Sequence, residues 1–309
     1  MILLANTMGW LANVTLVCGG AAAAVGLLLA CYLLLKLAFP RVAAIARTTA
    51  KESQTQPLFW VELAAGAMLL LLFTFIPYNT FGDDVKMMKD SGLTVIMLLA
   101  ILLAVWSASV SIADELEGRT ALTLLSKPVS RRQFILGKFL GVIAPVFVLF
   151  VVLGVVFLLA VNFRVNFEAR EMSQAAATPE QCRAEMLQIV PGLVLAFFEA
   201  VVMASISVAI STRLPMVPNL VICSAIYVIG HLVPLFVQSS MGQLPIVTFV
   251  GQFLATVLPV LDHFNIQAAV AAGREVPLEY LAWAGGYCLL YSTVAMLLAL
   301  VLFEDRDLA

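Results

Sequence analysis

The chain of 309 residues is strongly apolar, with 62% hydrophobic residues, 12% charged residues and a mean hydropathy of +1.04. Soluble domains contain about 45–50% apolar and about 25% charged residues, so this composition excludes a soluble globular protein. A formal net charge of -2 also excludes a basic surface for nucleic acid. We therefore expect an all-α, polytopic protein of the lipid bilayer.

The first predicted span lies between Met8 and Phe39, carries no charge before Lys36, and is stopped by Pro40. About 20 apolar residues suffice to cross about 30 Å of hydrocarbon. The segment is too long for a secretory signal and has no basic residue before it, so we expect a retained anchor. A basic connector follows at 41–57, for which an amphipathic helix on the inner surface and an irregular link are both open.

Six further apolar segments are predicted to span the membrane. We expect Glu62, near the start of the first of these, to lie at the interface. The long extracytoplasmic loop 162–188 contains Thr178-Pro179-Glu180-Gln181, which predicts the capped start of a short surface helix before the next span. The predicted bounds are Leu58–Ile76, Gly92–Ala113, Gln133–Val161, Ile189–Ser211, Asn219–Val237 and Tyr280–Phe303.

The segment from Leu244 to Val260 is apolar but short, and Pro245, Gly251 and Pro259 interrupt it. Such a segment is more often re-entrant or interfacial than fully transmembrane. We therefore predict about seven spans, whereas a full crossing here would give eight. With seven, most Lys and Arg residues fall in the smaller loops of one side, which the positive-inside rule makes cytoplasmic. The N-terminus is then outside and the C-terminus inside.

The most highly charged part of the chain is residues 111–140. Its first part, from Asp114 to Ser126, is predicted to form a short helix that Pro128 ends, and its acidic start would suit the helix dipole. Ser130 then caps the next helix. Ordinary anchoring at the inner face explains the basic residues of this part but leaves its acidic residues unexplained.

The sequence ADELEGRTALTLLSKPVSRRQFILGKFLG in this region closely resembles the cytoplasmic loop of bacterial ABC-2-type ABC transporter permeases. The shared features are an acidic pair, Gly-x-Thr, Leu-Leu-Ser-x-Pro-Val-Ser-Arg and a later Gly-Lys. The resemblance extends from about Ile45 to Phe303 and includes LPVLDHFN at 258–265. It leaves out residues 1–40, so the first span would be an addition to a six-span permease core at 58–309.

The resemblance implies the non-catalytic permease subunit of an ABC exporter in the inner membrane, paired with a second permease as a homodimer or heterodimer. Separate nucleotide-binding subunits would hydrolyse ATP, and the sequence itself lacks the phosphate-binding G-x-x-x-x-G-K-[ST] motif. No cofactor is implied. The resemblance also implies a re-entrant element at 244–260 and a coupling helix in the loop 114–132. The implied ATPase contacts are Asp114, Glu115, Glu117, Arg119 and Thr120, and the anchors expected at the cytoplasmic interface are Arg131, Arg132 and Lys138.

Glu199 lies within the fifth predicted span, where a charge costs about 2.5–3.5 kcal/mol on insertion scales. It is a candidate for the translocation path or the dimer interface, although Ser205 or Ser207 could make it structural. The two histidines, His231 and His263, lack the spacing of a metal site, so no metal is expected.

Two other classes of function stay open. A membrane-embedded enzyme would use Glu199, Asp262 and His263, and the purified single chain would then be active. A non-transporting anchor or regulator of an ATPase would show no flux in reconstituted vesicles. The sequence does not identify a substrate.

Overall fold

The computed structural model describes residues 2–76, 84–117, 130–171, 177–238 and 249–304, the last range without 250, 252 and 255. Every regular element in these ranges is a helix, so the predicted all-α class is confirmed. In chain order they are α1 (Ile2–Ala38), α2 (Pro40–Thr55), α3 (Pro57–Phe75), α4 (Asp84–Glu117), α5 (Arg131–Glu171), α6 (Pro179–Ser211), α7 (Met216–Gln238), a 3-10 turn (Leu261–Phe264), α8 (Gln267–Ala271) and α9 (Leu278–Glu304).

Helices α1, α3, α4, α5, α6 and α9 each contain a segment long and apolar enough to cross a membrane. Helix α7 adds a shorter apolar stretch, Met216–Leu232. These seven helices agree with the predicted polytopic membrane protein of about seven spans.

Local sequence explains where several helices begin. Pro40 and Pro57 occupy the first turn of α2 and α3, and single non-helical residues separate these helices from their predecessors. Helix α6 begins with the predicted capping box: the Gln181 N–H donates to Thr178 Oγ1 at 3.3 Å, and the Thr178 N–H donates to Gln181 Oε1 at 2.9 Å. Ser130 caps α5 in the same reciprocal way with Gln133.

Three helices are longer than the predicted spans. Helix α4 continues past Ala113, α5 continues past Val161, and α6 begins at Pro179 rather than near Ile189. The 41 residues of α5 measure about 60 Å, twice the hydrocarbon thickness. Most of the expected loop 162–188 is therefore helix, and the expected short surface helix is wrong because its residues form the first turns of α6.

Helices α4 and α6 form the centre of the bundle, and α1 lies at its edge. In their most apolar windows, 67% of α4 and of α6 is buried inside the chain, against 6% for α1. Near its start, α1 contacts the later part of α5 and the beginning of α6. There, Asn13 Nδ2 donates to Asn162 Oδ1 at 3.3 Å and to the Pro179 carbonyl at 3.2 Å.

Of the two alternatives for residues 41–57, the amphipathic helix is the one that forms. Helix α2 buries Val42, Ile45 and Ala46. It packs directly on the start of α5, where a Cβ added at Gly141 would lie only 2.8 Å from the Ala46 carbonyl oxygen. Gly137, one turn earlier, meets Ile45 in the same way. This small-x-x-x-small pair lets the two backbones approach closely.

Of the segment predicted to be re-entrant, 244–260, residues 249, 251, 253, 254 and 256–260 are described, and those up to 257 are helical. Its end is described: the Val260 N–H donates to the Tyr287 hydroxyl at 3.0 Å. Tyr287 lies about 14 Å along α9 from the beginning of that helix at Leu278. A Cβ at Gly230 of α7 would be 2.9 Å from the Pro259 carbonyl oxygen. The segment therefore ends between α7 and α9, at a depth part-way along α9 and not at the beginning of that helix.

Candidate functional site

The predicted coupling loop 114–132 is described only at its two ends. Arg119 and Thr120 lie outside the described residues, as do the side chains of Asp114, Glu115 and Glu117. The backbone of these three acidic residues is helical, but the helix does not begin at Asp114 as expected, because α4 runs unbroken from Asp84 to Glu117. The three acidic residues therefore lie in the last described turn of α4.

Lys138 lies beside this loop but does not face the interface as expected. Its side chain is buried, and Nζ donates to both the carbonyl oxygen and the hydroxyl of Ser111 at 2.9 Å. The Glu52 carboxylate is 3.9 Å away. One ammonium group thus connects α2, α4 and α5 below the loop, which explains why a charge in the bundle interior is tolerated.

The two predicted arginine anchors behave differently. Arg131 lies at the first residue of α5 and binds the end of α9, where Nη1 donates to the Glu304 carbonyl at 2.7 Å. Its guanidinium also lies 5.8 Å from the centre of the Phe303 ring. Arg132 is exposed and free to reach the membrane surface.

Glu199 is completely buried within the single chain, so it does not line the surface at which a second permease would pack. Its Oε1 lies 3.4 Å from Nε2 of His231 on α7. His231 Nδ1 lies 3.0 Å from the Tyr227 carbonyl oxygen, which can only accept, so Nδ1 carries a hydrogen. A single proton between Nε2 and the carboxyl group then makes the pair neutral overall, as burial in a membrane requires.

The serines considered as partners of Glu199 bind elsewhere. Ser205 Oγ donates to the Val202 carbonyl at 2.7 Å, and Ser207 Oγ donates to the Val105 carbonyl at 3.2 Å. Sequence reasoning missed His231 as the partner. The signal was present, because the short turn between α6 and α7 makes them antiparallel and brings Glu199 and His231 to similar depth.

A second buried polar cluster joins α4 and the end of α6 to the beginning of α7. Asn219 Nδ2 lies within 2.6–2.8 Å of the hydroxyl oxygens of Ser109, Ser207 and Ser211. Cys223 Sγ donates to the Asn219 Oδ1 at 3.2 Å. An amide has two hydrogens for three hydroxyl groups, so the hydroxyls complete the network by donating to carbonyl groups or to one another. This cluster fixes the beginning of α7 against the central helices.

Glu62, expected at the interface from its place near the start of the span, is a further buried carboxyl group. It shares the inward face of α3 with Phe59 and Gly66, and it is 3% exposed. Neither carboxyl oxygen has a hydrogen-bond partner within the part of the chain that the structure describes.

Charged residues also connect the helices at the end of the bundle that holds the beginnings of α4 and α6. Arg164 of α5 binds Asp84 of α4 at 2.5 Å and donates to the Thr74 carbonyl at 3.2 Å. Lys89 of α4 pairs with Glu185 of α6. Together with the contacts of Lys138 and Arg131 at the opposite end, these pairs place the first residues of α1 and the last residues of α9 at opposite ends of the bundle.

The candidate residues of the alternative enzyme do not form one site. His263 is exposed and packs edge-on against Tyr287, with ring centroids 6.0 Å apart, while Glu199 has His231 beside it. Asp262 is close enough to Glu199 for an electrostatic interaction. Among the described residues, no group of three or more His, Cys, Asp or Glu side chains is arranged to hold a metal ion.

Long apolar helices, joined by polar contacts at both ends of the bundle, define a polytopic α-helical membrane protein. The family model of the ABC-2 family transporter proteins matches residues 42–308, so the chain belongs to the ABC-2 transporter family. It is accordingly the membrane subunit of an ABC transporter, a class that associates with ABC ATPase subunits. The match begins within α2 and leaves α1 outside it. A comparison with curated proteins gave no match.

Proposed function

We propose that the chain is the permease subunit of an exporter in the cell membrane, and that separate ATPase subunits drive it through the loop 114–132. The observation that supports this most is the run of acidic residues at the end of α4. Three carboxylates so close along one helix repel one another in the isolated chain, and basic groups of a docked partner would offset that repulsion.

Helix α4 is suited to transmit a displacement of this loop. It runs without a break from the outer end, at Asp84, to Glu117, and it lies at the centre of the bundle. The Lys138–Ser111 contact couples it to α5, on the other side of the loop. Closure of the ATPase pair would move these helices together against a second permease, which is the rigid-body change that alternating access needs.

The proposed orientation has the N-terminus outside and the C-terminus in the cytoplasm. An odd number of crossings requires the two termini to lie on opposite sides, which agrees with the contacts at the two ends of the bundle. The basic residues at the start of α5, including the exposed Arg132, then lie on the cytoplasmic side, as the positive-inside rule expects.

Glu199 and His231 are proposed to form a polar contact of the translocation path between α6 and α7. Glu199 is fully buried and His231 is 19% exposed, and their interaction is strong only while water is excluded. Opening of the path between these helices would expose both groups to water and weaken their interaction. The dimer interface is not proposed as the location of Glu199 because the residue is already enclosed.

The full chain is reconstituted in vesicles with the ATPase subunit that co-purifies with it. The measurement compares the rate of ATP hydrolysis by that subunit with and without the permease, in the absence of a transported substrate. The double substitution Glu115→Ala and Glu117→Ala is expected to lower the ATPase activity that depends on the permease while leaving insertion unchanged. Glu180→Ala, an exposed acidic residue at the beginning of α6, is the matched control. Undiminished coupling in the double variant would refute the assigned contact, and absence of an ATPase from the purified material would refute the exporter itself.

A further inference from the structure

The structure contains a basic pocket between α1 and α2 that the transport function does not use. Its volume is about 460 Å³, within the usual range of about 300–1,000 Å³ for small-molecule sites. Two helix faces form it, because the lining residues of each helix recur at spacings of three or four. The lining residues are Tyr32, Lys36, Pro40, Ala43, Ala44, Arg47, Thr48 and Lys51.

Three cations converge on this pocket without an acidic residue among its lining. Lys36 comes from the last turn of α1, while Arg47 and Lys51 are one turn apart on α2. Like charges at this spacing oppose each other on a helix. Among the ion pairs within the described ranges, none involves these three residues. All three side chains are exposed, and an anion bound between them would remove their mutual repulsion.

The position of the pocket selects the kind of anion. It lies where α1 leaves the membrane and α2 begins, and α1 exposes Leu29, Leu33 and Leu37 next to it. A bound group would have its negative charge at the level of the three cations and hydrocarbon along α1. Basic pockets between transmembrane helices at the cytoplasmic surface bind anionic lipid headgroups in this way.

We propose that Lys36, Arg47 and Lys51 bind the phosphate of an anionic phospholipid, with the acyl chains along the exposed side of α1. The Tyr32 hydroxyl is available to donate a hydrogen bond to the same phosphate. Thr48 uses its hydroxyl hydrogen on the Ile45 carbonyl at 2.8 Å, so it borders the site without donating to the ligand. The lipid would hold α1, which is otherwise little buried, against the rest of the bundle.

The test measures lipid binding to the purified full chain in a non-ionic detergent by native mass spectrometry. Dioctanoyl phosphatidylglycerol is the probe, dioctanoyl phosphatidylcholine is the neutral comparison, and inorganic phosphate is the competitor. The variants are Lys36→Gln, Arg47→Gln and Lys51→Gln, singly and combined. Arg41→Gln removes the same charge from an exposed position of α2 outside the pocket and serves as the matched control.

Phosphatidylglycerol is expected to bind in preference to phosphatidylcholine, and each substitution is expected to lower its affinity about fivefold, with Arg41→Gln unchanged. Equal binding of the two lipids, or equal loss in Arg41→Gln and the pocket variants, would overturn the proposal. Displacement of the lipid by an equal concentration of inorganic phosphate would show a site for free phosphate instead. The single variants decide the matter if the triple variant does not fold.

Discussion

The close contact between α2 and α5 gives a prediction whose magnitude follows from the geometry. A Cβ at Gly141 would lie 2.8 Å from the Ala46 carbonyl oxygen and 2.5 Å from the Thr49 Cβ. A carbonyl oxygen belongs to the backbone and cannot turn aside, so α2 as a whole must move away from α5. We expect Gly141→Ala to cost about 1–3 kcal/mol, as overpacking of a tight interface does.

Two glycines of the same helix provide the controls. At Gly154 the added Cβ would meet the Leu193 side chain at 3.4 Å, an ordinary contact. At Gly137 it would meet the Ile45 side chain at 2.7 Å and the Val42 carbonyl at 3.2 Å, so a smaller movement suffices. Any intrinsic gain of about 0.5–1 kcal/mol from Gly to Ala is common to all three. The expected order of stability is therefore Gly154→Ala, then Gly137→Ala, then Gly141→Ala.

The measurement is the midpoint of unfolding in mixed micelles with increasing SDS fraction, followed by far-UV circular dichroism on the full chain. Gly141→Ala should unfold at a lower SDS fraction than the wild type, and Gly154→Ala should not. Equal midpoints for Gly141→Ala and Gly154→Ala would refute the argument that α2 is held by close backbone approach. The reverse order of the Gly137 and Gly141 variants would refute the expectation that the shorter contacts at Gly141 require the larger movement of α2.

Two further predictions concern the buried polar groups. Lys138→Met removes two charge-assisted hydrogen bonds to Ser111 and should lower the free energy of unfolding by about 1–3 kcal/mol in the same assay. Arg132→Met, at an exposed position, should change it by no more than about 0.5 kcal/mol. Equal effects of the two substitutions would contradict the buried role of Lys138. A double-mutant cycle of Glu199→Leu and His231→Leu should give a coupling energy of about 0.5–3 kcal/mol. A cycle of Glu199→Leu with Ser205→Ala should give none. A coupling only in the second cycle would make Ser205, and not His231, the partner of Glu199.

The features that sequence predicted well are those encoded in adjacent residues. The apolar segments gave the class and the approximate number of spans because a helix must bury about 20 apolar residues to cross the bilayer. The starts at Ser130 and Thr178 were found because a capping box is a local pattern of two residues three positions apart. Pro40 was expected to stop the first span, and α1 ends at Ala38, two residues before it.

The features that sequence did not predict depend on contacts between distant helices. Arg164 looked like a loop residue, but its binding to Asp84 and to the end of α3 lets α5 continue as helix beyond the span. A lysine near a helix start is usually an interfacial anchor, but Lys138 donates to Ser111 instead because α4 lies beside it. Glu199 and His231 lie on different helices, and only the packing of α6 against α7 brings them together.

The contacts beside the loop 114–132 restrict how the proposed docking of an ATPase could move this chain. The loop 114–132 begins at the end of α4 and ends at the start of α5, and Lys138 joins these two helices. Arg131 joins the start of α5 to the end of α9. The Gly137–Gly141 pair holds α2 against α5. A displacement of the loop is therefore expected to move these four helices together, because relative movement would break these contacts.

Movement within the chain is least costly where polar contacts between helices are fewest, and α7 illustrates this. Its beginning is fixed by Asn219 and the serines, while farther along the helix His231 meets Glu199 at 3.4 Å without a closer hydrogen bond. The described hydrogen bonds from α7 to the central helices lie at its beginning, so α7 can tilt about that end once the close approach of Gly230 to Pro259 loosens. Such a tilt would separate Glu199 from His231 and open the space between α6 and α7, while α2, α4, α5 and α9 keep their mutual contacts.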